Sequence, residues 1–265
     1  MKIEIDITKS AQQNGNEYYN KYKKLVQKNL SINKVVQDMK NRLEKIRSKS
    51  MEIDSKKAIK QIKKEWFEKF HWFYTSNNLL AIGGRDATQN ELLNSKYFTD
   101  SDLFFHSDIF GASVVILKDG VNALSEIKQE VSQFAASYSS AWKEMLKTIN
   151  VYCVKRDQVS KSTGSGSISK GSFLISGTRE YYRNIGLGLA LIISNEKLNS
   201  IPIIEFEKIK NIKQINKYII IKQGRQKKSD AAKQISKFLD YSNIDEIMQL
   251  LPAGTFYIEL KTNMI

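Results

Sequence analysis

The sequence predicts an α+β protein in two parts: an N-terminal antiparallel coiled-coil hairpin over residues 1–75, then a mixed-sheet α+β domain over residues 76–265. Three observations carry this reading. Apolar residues in the first part step by alternating threes and fours, which is the heptad signature. Beyond Asn78, short β-type runs interleave with helical ones. With 265 residues, 41% of them hydrophobic, the chain is long enough to bury a sizeable core.

The hairpin comes first. Between Ser10 and Arg47 there is no proline, and Gly15 is the only glycine. Tyr18, Tyr22, Leu25, Ile32, Val36, Met39, Leu43 and Ile46 mark the seam, with Asn29 at the remaining position. A polar residue at such a position fixes register at some cost in stability. Ser31 could cap a break in this helix. A turn is expected over Ser48 to Ser55, and a returning helix places Ile59, Ile62, Trp66 and Phe73 at the same spacing.

Strands are expected at Leu79 to Ile82, Leu103 to His106, Ser113 to Leu117, Val151 to Arg156, Phe173 to Ser176, Leu187 to Ile193 and Tyr218 to Lys222. Helices fit Ala87 to Lys96, Ala123 to Met145 and Ser229 to Leu239, where apolar residues lie three and four apart. Ser160 to Gly171, SKSTGSGSISKG, reads as a mobile loop carrying Lys161 and Lys170.

Charge narrows the partners. Against 28 Asp and Glu stand 42 Lys and Arg, a net charge of +14 with a pI near 9.5, so a polyanion is the natural ligand. A compositional preference for Lys, Ile and Asn would produce some of this excess, and its distribution has to decide. The basic residues do cluster: Lys155, Arg156, Lys161, Lys170, Arg179 and Arg183 follow closely, and Lys222, Arg225, Lys227 and Lys228 surround Gly224. Tyr181 and Tyr182 add stacking capacity to the first group. A solvated face remains the alternative for either cluster.

Cysteine usage and hydropathy bound the location. One cysteine, Cys153, excludes an intramolecular disulfide and places a buried thiol in an apolar strand. No apolar leader or uncharged run near about 20 residues is present, so a cytoplasmic location is expected.

The tract KEWFEKFHWFYTS followed by LLAIGGRDATQN concentrates aromatic and charged residues where the two parts join. Trp66, Phe67, Phe70, Trp72 and Phe73 read as core rather than as stacking platforms. Gly83 and Gly84 allow a tight turn, and Asp86 is a candidate N-cap for the next helix. With Arg85 beside it, that helix start could hold a phosphate, although a capped turn serves equally. His106 and Asp108, at the end of an expected strand, suggest a metal or acid–base pair, but no nucleophile accompanies them. Nucleotide-binding glycine loops are missing, and neither a cofactor nor a catalytic role is expected.

These segments, with DLFFHSDIFGAS, FAASYSSAW, VYCVKRDQVSK and KGSFLISGTREYYRN, resemble in order the NFACT-R domain of the NEMF, FbpA, Caliban and RqcH proteins, archaeal members above all. KSAQQNGNEYYNKYKK resembles the start of that family's coiled-coil region, and KKSDAAKQISKFLD with LLPAG its archaeal C-terminal end. The resemblance implies an RNA-binding factor of ribosome-associated quality control that contacts tRNA and the rRNA of stalled large subunits. It further implies a role in alanine tailing of the stalled chain, with peptidyl transfer left to the ribosome. Complete members carry an NFACT-N domain ahead of the coiled coil, so a separate NFACT-N protein is an expected partner. Matched positions mark Arg85, Asp86, Gln89, Asn90, His106 and Asp108, with Lys155, Arg156, Lys161, Lys170, Arg179 and Arg183, as RNA-binding candidates. Two other readings stay open: a dimeric coiled-coil scaffold without RNA specificity, which sedimentation at several concentrations would reveal, and a metal-dependent nuclease built on His106, Asp108 and Asp86.

Overall fold

The structure is a computed structural model that describes residues 4–57, 65–163, 166–167, 169–194, 196–210 and 215–262, with the side chains of 45–57 and 162–168 left aside. The chain divides into two compact units, Met1–Lys64 and Glu65–Ile265. The boundary therefore precedes the expected one at residue 75.

In the first unit, helix α1 (Ala11–Lys57) runs for 47 residues, about 70 Å at the α-helical rise. A reciprocal capping box starts it: the Ser10 amide donates to Gln13 Oε1 at 2.9 Å, and the Gln13 amide donates to Ser10 Oγ at 3.2 Å. Ser31 does not break the helix, because its hydroxyl donates back to the Gln27 carbonyl at 2.8 Å. The turn expected over Ser48 to Ser55 is helical instead. Lys, Glu, Met and Ile in that stretch are good or tolerable helix formers, and neither glycine nor proline interrupts them. Of the expected returning helix, Ile59 and Ile62 lie outside the described residues, Trp66 sits in a turn, and Phe73 belongs to a strand. The seam residues from Tyr18 to Leu43 are exposed.

Among its described residues the second unit holds two main antiparallel sheets and two small two-stranded ones. Its elements are β1 (His71–Tyr74), β2 (Leu80–Gly83), α2 (Ala87–Leu92), β3 (Leu103–Ser107), β4 (Val115–Leu117), α3 (Ser125–Ser137), α4 (Ser140–Lys143), β5 (Thr148–Val154), the two-residue strands β6 (Val159–Ser160), β7 (Ser162–Thr163), β8 (Gly166–Ser167) and β9 (Leu174–Ile175), then β10 (Glu180–Gly186), β11 (Leu189–Ser194), β12 (Lys197–Pro202), α5 (Ile203–Ile209), β13 (Lys217–Gln226), α6 (Lys228–Leu239), α7 (Ile244–Leu250) and β14 (Phe256–Thr262). The larger sheet has the order β1-β2-β4-β3-β5-β10 and the smaller β12-β11-β13-β14. Every pairing within them is antiparallel, not mixed. Hairpins join β1 to β2, β3 to β4 and β11 to β12; the crossover through α3 links β4 and β5, which are kept apart by β3.

Both faces of the larger sheet are covered, and alternation along each strand sorts its residues. Leu103, Phe105, Val115, Leu117, Val151 and Cys153 face Val131 and Phe134 of α3, in a core that continues into the smaller sheet through Leu189 and Leu191. Phe104, Ile116, Tyr152 and Val154 face the other way, against Phe67, Phe70, Leu93 and Phe98. Phe67, Phe70 and Phe73 are thus core, as their spacing suggested, whereas Trp66 is exposed and stacks on Tyr97 at 4.4 Å. The helix expected over 123–145 breaks at Tyr138, whose buried hydroxyl donates to the Leu250 carbonyl at 2.7 Å, and Ser139 caps the short α4. Cys153 is buried, and burial beside Glu180 pushes its thiol up to about 12, an inert group.

His71 stacks on Tyr138 at 3.8 Å between ring centroids. Burial, reinforced by the Arg85 and Lys228 cations, holds it well below its ordinary value of 6.5. His106, the second of two histidines, is also lowered by burial. The unfolded chain therefore binds more protons than the folded one just below pH 6.5, so stability is full above that value and declines as pH falls through it. Glu91 and Glu180 are lowered from 4.5 and act only at greater acidity. The melting temperature should drop between about pH 7.5 and about pH 5.5, and His71→Phe, which keeps a ring against Tyr138, should flatten most of that drop. An unchanged slope in the variant would remove His71 from the account.

Candidate nucleic-acid interface

The face of the larger sheet that carries Phe104 ends toward β10 in a row of rings that runs from half-buried His106 through buried Tyr152 to exposed Tyr181. Register places His106 of β3 opposite Tyr152 of β5, and Tyr152 opposite Tyr181 of β10. Each neighbouring pair has ring centroids 5.8 Å apart. Residues two apart on a strand share a face, so Arg179 and Arg183 flank Tyr181. The Arg179 guanidinium lies 4.7 Å over the Tyr152 ring, and that of Arg183 lies 5.5 Å from Tyr181. Glu180 and Tyr182 point to the opposite face, where Lys128 pairs with Glu180 at 3.0 Å and the Tyr182 hydroxyl donates to Glu180. Tyr182, expected to stack, is buried instead, and burial raises its pKa.

Beside the row opens a cleft of about 550 Å³. Phe104, His106, Tyr152 and Phe173 supply its rings, and Arg85, Asp86, Asp108 and Lys170 its charges. Phe110, 98% exposed, stands on the loop after β3 that lines the same cleft. Burial keeps His106 below its ordinary value, and the Asp108 carboxylate opposes that shift. At neutral pH its imidazole is uncharged.

Of the expected site residues, Arg85, Asp86, Asn90, His106, Asp108 and Lys170 are gathered here. Several of them are committed elsewhere. The Asp86 carboxylate caps α2 by accepting from the Gln89 amide at 2.8 Å, so the helix start expected to hold a phosphate already holds a carboxylate of its own. Arg85 is half-buried and donates to Gln249 Oε1 at 2.9 Å and to the Phe70 carbonyl at 3.1 Å. Gln89, outside the cleft, donates to the Lys69 carbonyl at 3.1 Å and accepts from the Arg85 amide at 3.0 Å. Asn90 Oδ1 accepts from the Val114 amide at 3.1 Å. These four knit the turn before β1 to α2 and β4, a structural duty that a matched motif does not separate from binding.

The remaining cations divide similarly. Lys161 pairs with Glu91 of α2 at 2.5 Å and lies 5.2 Å from the Phe173 ring, whereas residues 164, 165 and 168 of the segment expected to be mobile lie outside the described residues. Arg156 donates to the Val159 carbonyl at 3.0 Å with its guanidinium 5.2 Å from Phe98. Lys155 and Arg183 are exposed and Arg179 half-exposed. In the second basic group, Lys228 donates to the Leu251 carbonyl at 2.8 Å and Lys222 pairs with Glu259 at 3.2 Å. The rings of Tyr152, Phe173 and Phe110 escaped the sequence reading. Period-two spacing in Arg179, Tyr181 and Arg183 was the signal that could have found the platform.

Rings alternating with arginines across the end of a sheet, beside a cleft of mixed polarity, are the equipment of a nucleic-acid-binding domain. Residues 69–177 match the NFACT protein RNA binding domain, and this part of the chain belongs to that domain family. Its relatives include the archaeal Rqc2 homolog aRqcH of Methanocaldococcus jannaschii, 36% identical over 205 residues, which are 74% of this chain and 30% of that protein. The ribosome quality control complex subunit NEMF homolog of Drosophila melanogaster is 34% identical over 201 residues, 73% of this chain and 20% of that protein. The chain thus spans less than a third of the length of these relatives. The C-terminal part of the fibronectin/fibrinogen-binding protein of Streptococcus suis overlays with a TM-score of 0.39 and 20% identity, over 69% of this chain and 78% of that one, too slight a likeness to argue from.

Proposed function

We propose that this chain is an RNA-binding component of ribosome-associated quality control in the cytoplasm, engaging tRNA or rRNA on large subunits that hold a stalled nascent chain. It supports alanine tailing by positioning RNA and not by catalysing a step. An NFACT-N domain, on the same polypeptide or on a separate protein, supplies the contacts that select one tRNA. The observation that carries this reading is the row His106, Tyr152 and Tyr181 with Arg179 and Arg183 alongside. Stacking is indifferent to sequence and phosphate contacts carry no base identity, so this surface holds RNA without choosing it.

Among the described residues, no helix is long and apolar enough to cross a membrane. Asp86, His106 and Asp108 all line the cleft, and among the described residues no group of three or more His, Cys, Asp or Glu side chains could hold a metal ion.

Salt tests the electrostatic part. If Lys155, Lys170, Arg179 and Arg183 each meet one phosphate of a single strand, affinity should fall about 50-fold between about 50 and about 200 mM salt. Fluorescence anisotropy with a labelled oligoribonucleotide measures this directly. A flat response would sink the reading.

A further inference from the structure

We propose that the cleft beside the ring platform receives one unpaired nucleotide of the bound RNA, with guanine as its base and Asp108 as the group that reads it. This rests on the RNA-binding reading above and adds a base preference that the platform alone cannot provide. Size comes first: about 550 Å³ lies in the range that encloses a single small ligand, ample for one nucleotide and far short of a duplex. Composition comes next. Phe104 and Tyr152 form the buried floor, half-buried Phe173 and exposed Phe110 give flat apolar surface, and neutral His106 extends it without adding a charge that would repel a cation or attract a phosphate.

The charges then orient the ligand. A phosphate pushed deep into the cleft would meet the carboxylates of Asp86 and Asp108 and an Arg85 guanidinium that already donates to Gln249 and the Phe70 carbonyl, whereas Lys170, Arg179 and Arg183 offer it cations. The base therefore enters, and the backbone stays with the cations. Ionised carboxylates only accept hydrogen bonds. Asp86 already caps α2, which leaves Asp108, exposed on the cleft lining, to accept from the base. Guanine presents N1–H and the N2 amino group side by side, matching the two oxygens of one carboxylate. Adenine and cytosine present an amino group next to an acceptor, and uracil places its single N–H between two carbonyl oxygens that a carboxylate repels.

The test uses the full chain and labelled oligoribonucleotides of about eleven nucleotides, all uridine except for a central guanosine, inosine, adenosine or uridine, in anisotropy titrations. The central guanosine should tighten binding about tenfold over uridine, the discrimination of one bidentate contact. Inosine, which lacks the N2 amino group, should lose most of that gain, and adenosine should lie near uridine. Asp108→Asn should abolish the guanosine preference, read as the ratio of the guanosine-strand to the all-uridine-strand affinity within the same variant. Asp108→Glu, which restores the carboxylate, should retain it, and circular dichroism verifies that both variants fold. Equal binding of all four strands, or a preference that survives Asp108→Asn, overturns the cleft assignment and leaves the RNA-binding reading intact. Failure of every strand to bind overturns both.

Discussion

Arg179→Ala and Tyr181→Ala, combined in one chain, are expected to weaken binding to single-stranded RNA by roughly 100-fold. Tyr181 is the outermost ring of the row and 37% exposed, and a base stacked on such a ring contributes about 1–3 kcal/mol. Arg179 holds one face of Tyr152 and offers its guanidinium to a phosphate, so its removal costs both an ionic contact and the order of the neighbouring ring. The strand itself should persist, because its pairing to β5 is made by backbone groups and its buried side is anchored by Tyr182 and Glu180. The melting temperature should therefore move by no more than a few degrees. Anisotropy titration beside a thermal melt separates the two effects. Affinity retained within about threefold would show that RNA does not lie across β10.

The second large effect is on stability. Gly84→Ala would set a Cβ 2.1 Å from Asn90 Oδ1 and 2.9 Å from the Asn90 amide nitrogen. The neighbour cannot simply turn aside, because Asn90 Oδ1 accepts from the buried Val114 amide while the Gly84 amide donates to the Val114 carbonyl at 3.0 Å. Moving Asn90 breaks the first of these bonds and disturbs the second, so the substitution should cost about 3 kcal/mol or more. For a unit of this size, that lowers the melting temperature by roughly 6–12 °C. Gly83→Ala is the control: its nearest atom, Val115 Cγ2, is 3.3 Å away, and the loss should be smaller. Equal melting temperatures for the two variants would contradict the close-approach account. The sequence suggested that this glycine pair frees a turn, but neither has a positive φ. Space for Asn90 is what Gly84 provides.

Part of this architecture was legible because local chemistry and tertiary environment agree. Asp86 caps α2 as its position suggested, and the strands expected at Leu103 to His106 and Leu187 to Ile193 appear as β3 and as β11, the latter starting two residues later, because most residues in them are buried. What escaped lies where the two disagree. Strand β10, EYYRNIG, and strand β14, FYIELKT, are half polar, since each ends its sheet and exposes one side. Strand β1 was hidden by aromatic residues that also fit a helical period, and pairing with β2 decided the matter. The site was half legible for a related reason. Charge located the neighbourhood, but charge cannot tell a guanidinium committed to a carbonyl, as in Arg85, from one lying over a ring, as in Arg179. Only the cross-strand register makes that distinction.

The register between β5 and β10 slips between Tyr182 and Ile185, and Asn184 adopts a left-handed backbone. Bulges twist a terminal strand away from flatness, and cations along it repel a second copy of the same strand. Straight, uncharged borders of sheets invite further strands, from another chain or from a nascent polypeptide close by. In the proposed setting beside a stalled nascent chain, such a border would recruit incompletely folded strands. The kink and the arginines together keep this one from being extended, so the residues that would hold an RNA also guard the fold against polymerisation.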